Sequence, residues 1–107
     1  MYHFIINPVS RSGRGQKLWN EIKPYLKKRK VPYTAHISDA PGKIVDIVSE
    51  LTSNFDEEFI KLVVLGGDGT MNEVLQGVAD FQRTYIAYIP TGSSNDLARD
   101  LKITGEP

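Results

Sequence analysis

Four short apolar runs alternate with segments of helical spacing along this chain, and that alternation restricts its fold more than any other feature. Residues 2–6 form an apolar run of strand length, ended by Asn7-Pro8. A Gly/Ser/Arg loop, VSRSGRG, follows at residues 9–15. Leu18, Trp19, Ile22 and Leu26 then recur at helical spacing. Pro24 lies inside that pattern, and its missing N–H predicts a kink or an interruption. Residues 33–38 form a second strand. In the next helix Pro41 suits an early position, and Ile44, Ile47, Val48 and Leu51 mark one face. Residues 54–58 are a polar link. Residues 60–65, IKLVVL, are the most buried strand by pattern. Met71, Val74, Leu75 and Val78 share one helical face, so GGDGT at residues 66–70 opens a third helix. Residues 84–89 form a fourth strand, residues 90–94 a loop, and residues 95–101 the start of a fourth helix. The tail ITGEP is turn-like.

The order βαβαβαβα implies an α/β domain whose mostly parallel sheet is covered by helices on both faces. Ligands of such sheets bind beyond the carboxyl ends of the strands. Three loops leave those ends with unusual composition: NPVSRSGRG, GGDGT and PTGSSND. The 107 residues suit one small domain with one core. The chain has no cysteine, which excludes disulfides and zinc-thiolate sites and is weakly consistent with the cytoplasm. No apolar stretch approaches the length of a membrane span, and MYHFIINP lacks the features of a signal peptide.

The net charge is zero but unevenly spread. Residues 1–30 carry eight Lys/Arg against one acid, Glu21, and the remainder is acidic. The basic run Lys27-Lys28-Arg29-Lys30 reads in two ways. It is a solvated helix end that complements the helix dipole, or a basic edge facing anionic lipid or phosphate. Nucleic-acid binding is not expected, because the acidic two thirds of the chain leaves no extended basic surface.

Glycine allows positive φ and close approach to the backbone. A glycine-rich turn that feeds a helix offers unpaired N–H groups to a phosphate. The alternative is a tight turn with no ligand. Neither GxxxxGK[ST] nor GxGxxG is present. Asp68 stands among the glycines, where phosphate would repel it. It either shares a magnesium ion with the phosphates, accepts a proton, or shapes the turn through backbone N–H groups. Thr70 donates to a phosphate or caps the helix in a capping box with Glu73. Ser93, Ser94, Asn95 and Asp96 form a similar cap cluster, or hydroxyl and amide donors to a nucleotide. Arg11, Arg14 and Lys17 are either phosphate-directed or ordinary surface charge. His3 and His36 lack partners at metal-ligand spacing and read as structural.

Three blocks occur in order: Asn7-Pro8 with Ser12-Gly13 and Gly15, then GGDGTMNEVLQG at residues 66–77, then PTGSSNDLAR at residues 90–99. Together they resemble the diacylglycerol kinase catalytic domain family, which includes bacterial lipid kinases and the sphingosine and ceramide kinases. The likeness runs over nearly the whole chain. GGDGT alone is shared with NAD kinases and relatives of phosphofructokinase; its combination with the downstream block is far more specific. The resemblance implies a Rossmann-like three-layer α/β domain of the NAD kinase and phosphofructokinase kind. It implies ATP as donor, Mg2+, and a lipid hydroxyl such as that of diacylglycerol as acceptor. Gly66, Gly67, Asp68, Gly69, Thr70 and Asn72 would cradle the nucleotide phosphates. Asn7, Ser10, Arg14, Glu73 and Asn95 join them as nucleotide-binding positions. Ser38 matches a threonine that touches the nucleotide, and Ser93 matches the threonine of the usual GT pair. Asp68 and Asp96 match acids required around phosphoryl transfer, and no residue is assigned as a resident metal ligand. Gly42-Lys43-Ile44 departs from the commoner Gly-x-Ala pattern.

The family carries a β-rich second domain with the proposed general base, metal ligands and part of the lipid pocket. Residues 1–107 are therefore expected to be the N-terminal nucleotide-binding domain of a longer kinase, lacking that C-terminal domain. Alone it should bind ATP weakly and transfer phosphate poorly or not at all. The expected location is cytoplasmic and peripheral at a membrane, through the basic residues. A homodimer is compatible with the sequence. The rival readings are an NAD kinase-like enzyme and a catalytically silent nucleotide-binding module.

Overall fold

A computed structural model of the chain describes residues 1–53 and 57–90, with residues 10–12 and 90 described as backbone. Its elements run β1 (Tyr2–Ile6), α1 (Ser10–Lys28), β2 (Tyr33–Ile37), α2 (Lys43–Thr52), β3 (Ile60–Gly66), α3 (Asp68–Gly77), a single 3-10 turn (Phe81–Arg83) and β4 (Thr84–Pro90). The four strands form one sheet in the order β2-β1-β3-β4. Every pairing is parallel, with Phe4 opposite Ala35 and Val63, and Val63 opposite Ala87. The expected fold class is the observed one.

The central strands are largely apolar because helices cover both of their faces; the exceptions are the buried His3 in β1 and the exposed Lys61 in β3. Phe4, Ile6, Val63, Leu65 and Ile89 point to one side and pack with Leu18, Trp19, Ile22 and Leu26 of α1. Ile5, Leu62 and Val64 point to the other and pack with Ile44 and Val48 of α2 and Val74 of α3. Trp19 meets Phe4 at 5.1 Å and Tyr33 at 5.6 Å between ring centroids, and each such pair adds about 0.5–1.5 kcal/mol beyond area burial. Gly77 lets α3 lie directly on α2, since a Cβ there would stand 2.6 Å from the Val45 carbonyl oxygen. Thr52, 1 % exposed, joins the ends of both helices. Its hydroxyl donates to the Val48 carbonyl at 2.7 Å and accepts the Ala79 N–H at 2.9 Å.

The two histidines have protein partners. His3 contacts Glu57 Oε1 through Nε2 and Thr34 Oγ1 through Nδ1, each at 2.7 Å. His36 Nε2 lies 3.1 Å from the same hydroxyl.

Several local expectations are corrected. Residues 10–15 are not a loop, because α1 begins at Ser10. Gly13 has φ +94 inside this opening turn, so the start of the helix is wound differently from its body. Pro24 does not interrupt α1, which continues to Lys28. The buried anchors on either side, Ile22 and Leu26, hold it together. Pro41 precedes α2 instead of opening it. Gly42 at φ +80 makes that turn, and Lys43 starts the helix. The buried stripe of α3 is Thr70, Val74 and Gly77, whereas Leu75 is exposed. The fourth helix expected at residues 95–101 lies outside the described residues.

Candidate phosphate-binding site

The sheet order reverses direction between β1 and β3. The connection from β1 leads outward to β2, and that from β3 leads outward to β4. The crevice beyond the carboxyl ends of two such strands is the customary ligand position of a doubly wound sheet. Asn7 follows β1 at that point, and Gly66-Gly67 ends β3 beside it. The register confirms their proximity, since Ile6 pairs with Leu65 and the Asn7 N–H donates to the Leu65 carbonyl at 3.1 Å.

The strand-to-helix turn is tight. Gly67 is the residue before α3, with φ -100 and ψ -167 and no side-chain cap. The first helical bond runs from the Met71 N–H to the Gly67 carbonyl at 3.1 Å. The N–H groups of Asp68, Gly69 and Thr70 therefore precede the helical ladder, at the positive end of the helix dipole. None of the turn's glycines has positive φ. Gly66 serves a close approach instead: a Cβ there would stand 2.5–2.8 Å from three side-chain atoms of Thr70. Around Gly69 a Cβ would meet nothing within 4 Å.

Thr70 is not the helix cap, so the capping box with Glu73 is corrected. It is the third residue of α3, 5 % exposed, and its Oγ1 accepts from Asn7 Nδ2 at 3.4 Å. The Asn7 Oδ1 accepts the Val9 N–H at 3.1 Å. Asp68 and Asn72 are exposed. With Gly69, Met71 and Leu75 they line a shallow depression of about 460 Å3 on the outer side of α3. Glu73 is half-buried, and its Oε1 is shielded from solvent with no hydrogen-bond partner.

The other expected positions divide into three groups. Ser38 follows β2 at the same carboxyl edge, on the far side of β1 from β3: its N–H donates to the Ile6 carbonyl at 3.0 Å, and its Oγ accepts the Ala40 N–H at 3.2 Å. Ser10 starts α1 at the same edge, and Arg14 is exposed one turn further on. Ser93, Asn95 and Asp96 lie outside the described residues. The basic run is remote from all of these. The Tyr2 N–H donates to the Pro32 carbonyl, and the Val31 N–H to the Leu26 carbonyl, so the last turn of α1 stands beside the start of β1. α1 has 19 residues, which puts Lys27–Lys30 about 25 Å from the crevice at 1.5 Å per residue.

Gly15 had no assigned role in the sequence reading. A Cβ on it would overlap the Asn7 carbonyl oxygen, so the backbone of α1 sits directly on the end of β1. In the sequence it stood in the glycine-rich opening and in the first motif block with Asn7-Pro8, and neither placement gave it a packing role.

A parallel doubly wound sheet with a glycine-rich strand-to-helix turn at its switch point defines a class of α/β domain. The family follows from comparison: the diacylglycerol kinase catalytic domain model matches residues 1–107, and the chain belongs to that family. Among curated proteins it is 32% identical over 102 residues to YtlR of Bacillus subtilis, whose name gives it only as a candidate lipid kinase. It is 33% identical over 105 residues to a diacylglycerol kinase of Staphylococcus epidermidis, and 29% identical over 86 residues to a ceramide kinase of Oryza sativa. These alignments cover 95%, 95% and 80% of this chain, and 33%, 32% and 14% of the respective relatives. The chain thus spans about a third of the length of the bacterial relatives it matches.

Proposed function

We propose that this chain is the ATP-binding domain of a lipid kinase that transfers the γ-phosphate to a lipid hydroxyl, diacylglycerol being the first candidate. The observation that carries this reading is the row of leading N–H groups on Asp68, Gly69 and Thr70, set at the switch point in a chain of this family. The named acceptors of two relatives, diacylglycerol and ceramide, are both lipid alcohols.

In this reading the leading N–H groups bind phosphate oxygens, and open space around Gly69 admits them without steric cost. Asn72 borders the same depression, and its amide donates to the nucleotide. Arg14, exposed near the start of α1, contributes long-range positive charge. Among the described residues no group of three His, Cys, Asp or Glu side chains can hold a metal ion. The exposed carboxylate of Asp68 nevertheless fits Mg2+ carried by the phosphates, because Mg2+ is commonly held by one or two carboxylates plus substrate oxygens. When bound, the ion neutralises phosphate charge. Asp96 is proposed as the second acid. The acceptor side of the cleft is proposed to belong to a β-rich second domain, and contact with anionic membrane to the basic run on α1. Among the described residues no helix is long and apolar enough to cross a membrane.

The test is transfer of labelled γ-phosphate from Mg-ATP by the protein from its complete reading frame. Diacylglycerol and sphingoid lipids in mixed micelles compete there with NAD. Labelled lipid supports the proposal. Labelled NAD replaces it with an NAD kinase-like activity, and no label with ATP still bound replaces it with a silent nucleotide-binding module.

A further inference from the structure

Asn7 touches every segment that meets at the switch point. Its N–H is bonded to β3 through Leu65, and its Oδ1 accepts from Val9 on the way into α1. Its Nδ2 reaches Thr70 in α3. Its carbonyl oxygen fills the place that a side chain at Gly15 would take. Both polar atoms of the carboxamide thus have protein partners, the Val9 bond at the surface and the Thr70 bond part-buried. Thr70, in turn, is buried in the space left by the missing side chain of Gly66.

We infer that Asn7 and Thr70 are a positioning pair that sets the spacing between the start of α1 and the start of α3, so that each acts on nucleotide affinity through the other. This rests on the nucleotide reading above. The two helix starts come from distant parts of the chain, and a phosphate held between them needs both within about 0.5 Å of their productive places. The backbone anchors, Asn7 to Leu65 and Gly15 against Asn7, fix β1, β3 and α1 to one another. The side-chain pair adds α3 to that frame. A ligand role for the two side chains predicts independent effects on affinity, whereas a positioning role predicts shared ones.

The experiment is a double-mutant cycle on this chain with ADP as probe, read by calorimetry and by backbone amide NMR, well below each variant's unfolding temperature. Asn7→Ser keeps a short acceptor near Val9 but cannot reach Thr70; Thr70→Val keeps the shape and removes the hydroxyl. Each is expected to weaken ADP roughly 3- to 10-fold, the range of one lost hydrogen bond. The double variant is expected to lose no more than the weaker-binding single one. Thr70→Val should also move the Val9 and Gly15 amide resonances without ligand, and Thr70→Ser should return them. Multiplying losses, or unmoved Val9 and Gly15 amides, overturn the pairing. If the unmodified chain fails to bind ADP, the nucleotide reading fails, and the ligand-free amide shifts alone decide the pairing. Should Asn7→Ser not fold, Thr70→Val and Thr70→Ser supply the same amide test.

Discussion

Replacing Gly66 by Ala tests how the end of β3 is fitted to α3. Gly66 has no positive φ, so alanine meets no backbone strain, and the effect is one of space alone. The added methyl would stand 2.5 Å from Thr70 Oγ1, 2.6 Å from its Cβ and 2.8 Å from its Cγ2. Carbon atoms prefer about 3.5–4.0 Å, so Thr70 and the first turn of α3 must retreat by about 1 Å. Overpacking of this order costs about 1–3 kcal/mol. Loss of glycine's freedom in the unfolded chain returns about 0.4–1 kcal/mol. The net loss is then about 1–2 kcal/mol, or roughly 5–15 °C in Tm for a domain of this size. Urea unfolding followed by circular dichroism measures it. The control is Thr70→Gly, which removes all three clashing atoms. In that background Gly66→Ala should cost nothing or stabilise, giving a coupling of about 1–3 kcal/mol. An equal cost in both backgrounds would refute the steric argument.

Thr52→Val keeps the shape of a buried side chain but leaves the Ala79 N–H without its acceptor; a loss of about 1–3 kcal/mol is expected in the same unfolding assay. Burial chiefly, and then the neighbouring His3, hold His36 below its ordinary pKa, with Glu50 opposing. The unfolded chain therefore takes up a proton first as pH falls. The contribution of His36 is complete above its unfolded value of 6.5 and is lost below it toward the folded one. His36→Gln should flatten the fall in unfolding free energy across that window; an unchanged slope would exclude His36 as its source. Lys27→Glu with Lys28→Glu should weaken partition of the complete protein onto anionic vesicles roughly 30-fold, at about 1 kcal/mol per basic residue. ADP affinity should stay unchanged, because that turn stands at the far end of α1; equal vesicle binding would remove the basic run as a membrane surface.

The parts of the fold legible in the sequence are those that burial determines from both sides. β1 and β3 read as strands because both faces are buried along most of their length, Lys61 at the start of β3 excepted, and the sequence bounds of β1 match the observed Tyr2–Ile6. The start of α1 was not legible. VSRSGRG has loop composition, and its helical course depends on Gly15 packing against Asn7, a contact between segments. Pro24 signalled a break because the local rule counts its lost N–H, whereas Trp19, Ile22 and Leu26 keep the helix on the sheet. At the site, the glycine turn and its place at a strand end were readable from GGDGT between the apolar run at residues 60–65 and the helical spacing of Met71, Val74, Leu75 and Val78. Whether Thr70 caps the helix or fills the space beside Gly66 was not, since Ser/Thr before Glu fits both. The distance between the basic run and the crevice also emerged only in three dimensions, from the direction in which α1 returns across the sheet.

The central claim is that the crevice between β1 and β3 binds nucleotide phosphates, and amide NMR of this chain titrated with Mg-ATP tests it most directly. The account predicts the largest shifts at Gly67, Asp68, Gly69 and Thr70, smaller ones at Asn7 and Ser38, and none at Lys27–Lys30. Shifts concentrated at the opposite edge of the sheet, or none at saturating ATP, would contradict it.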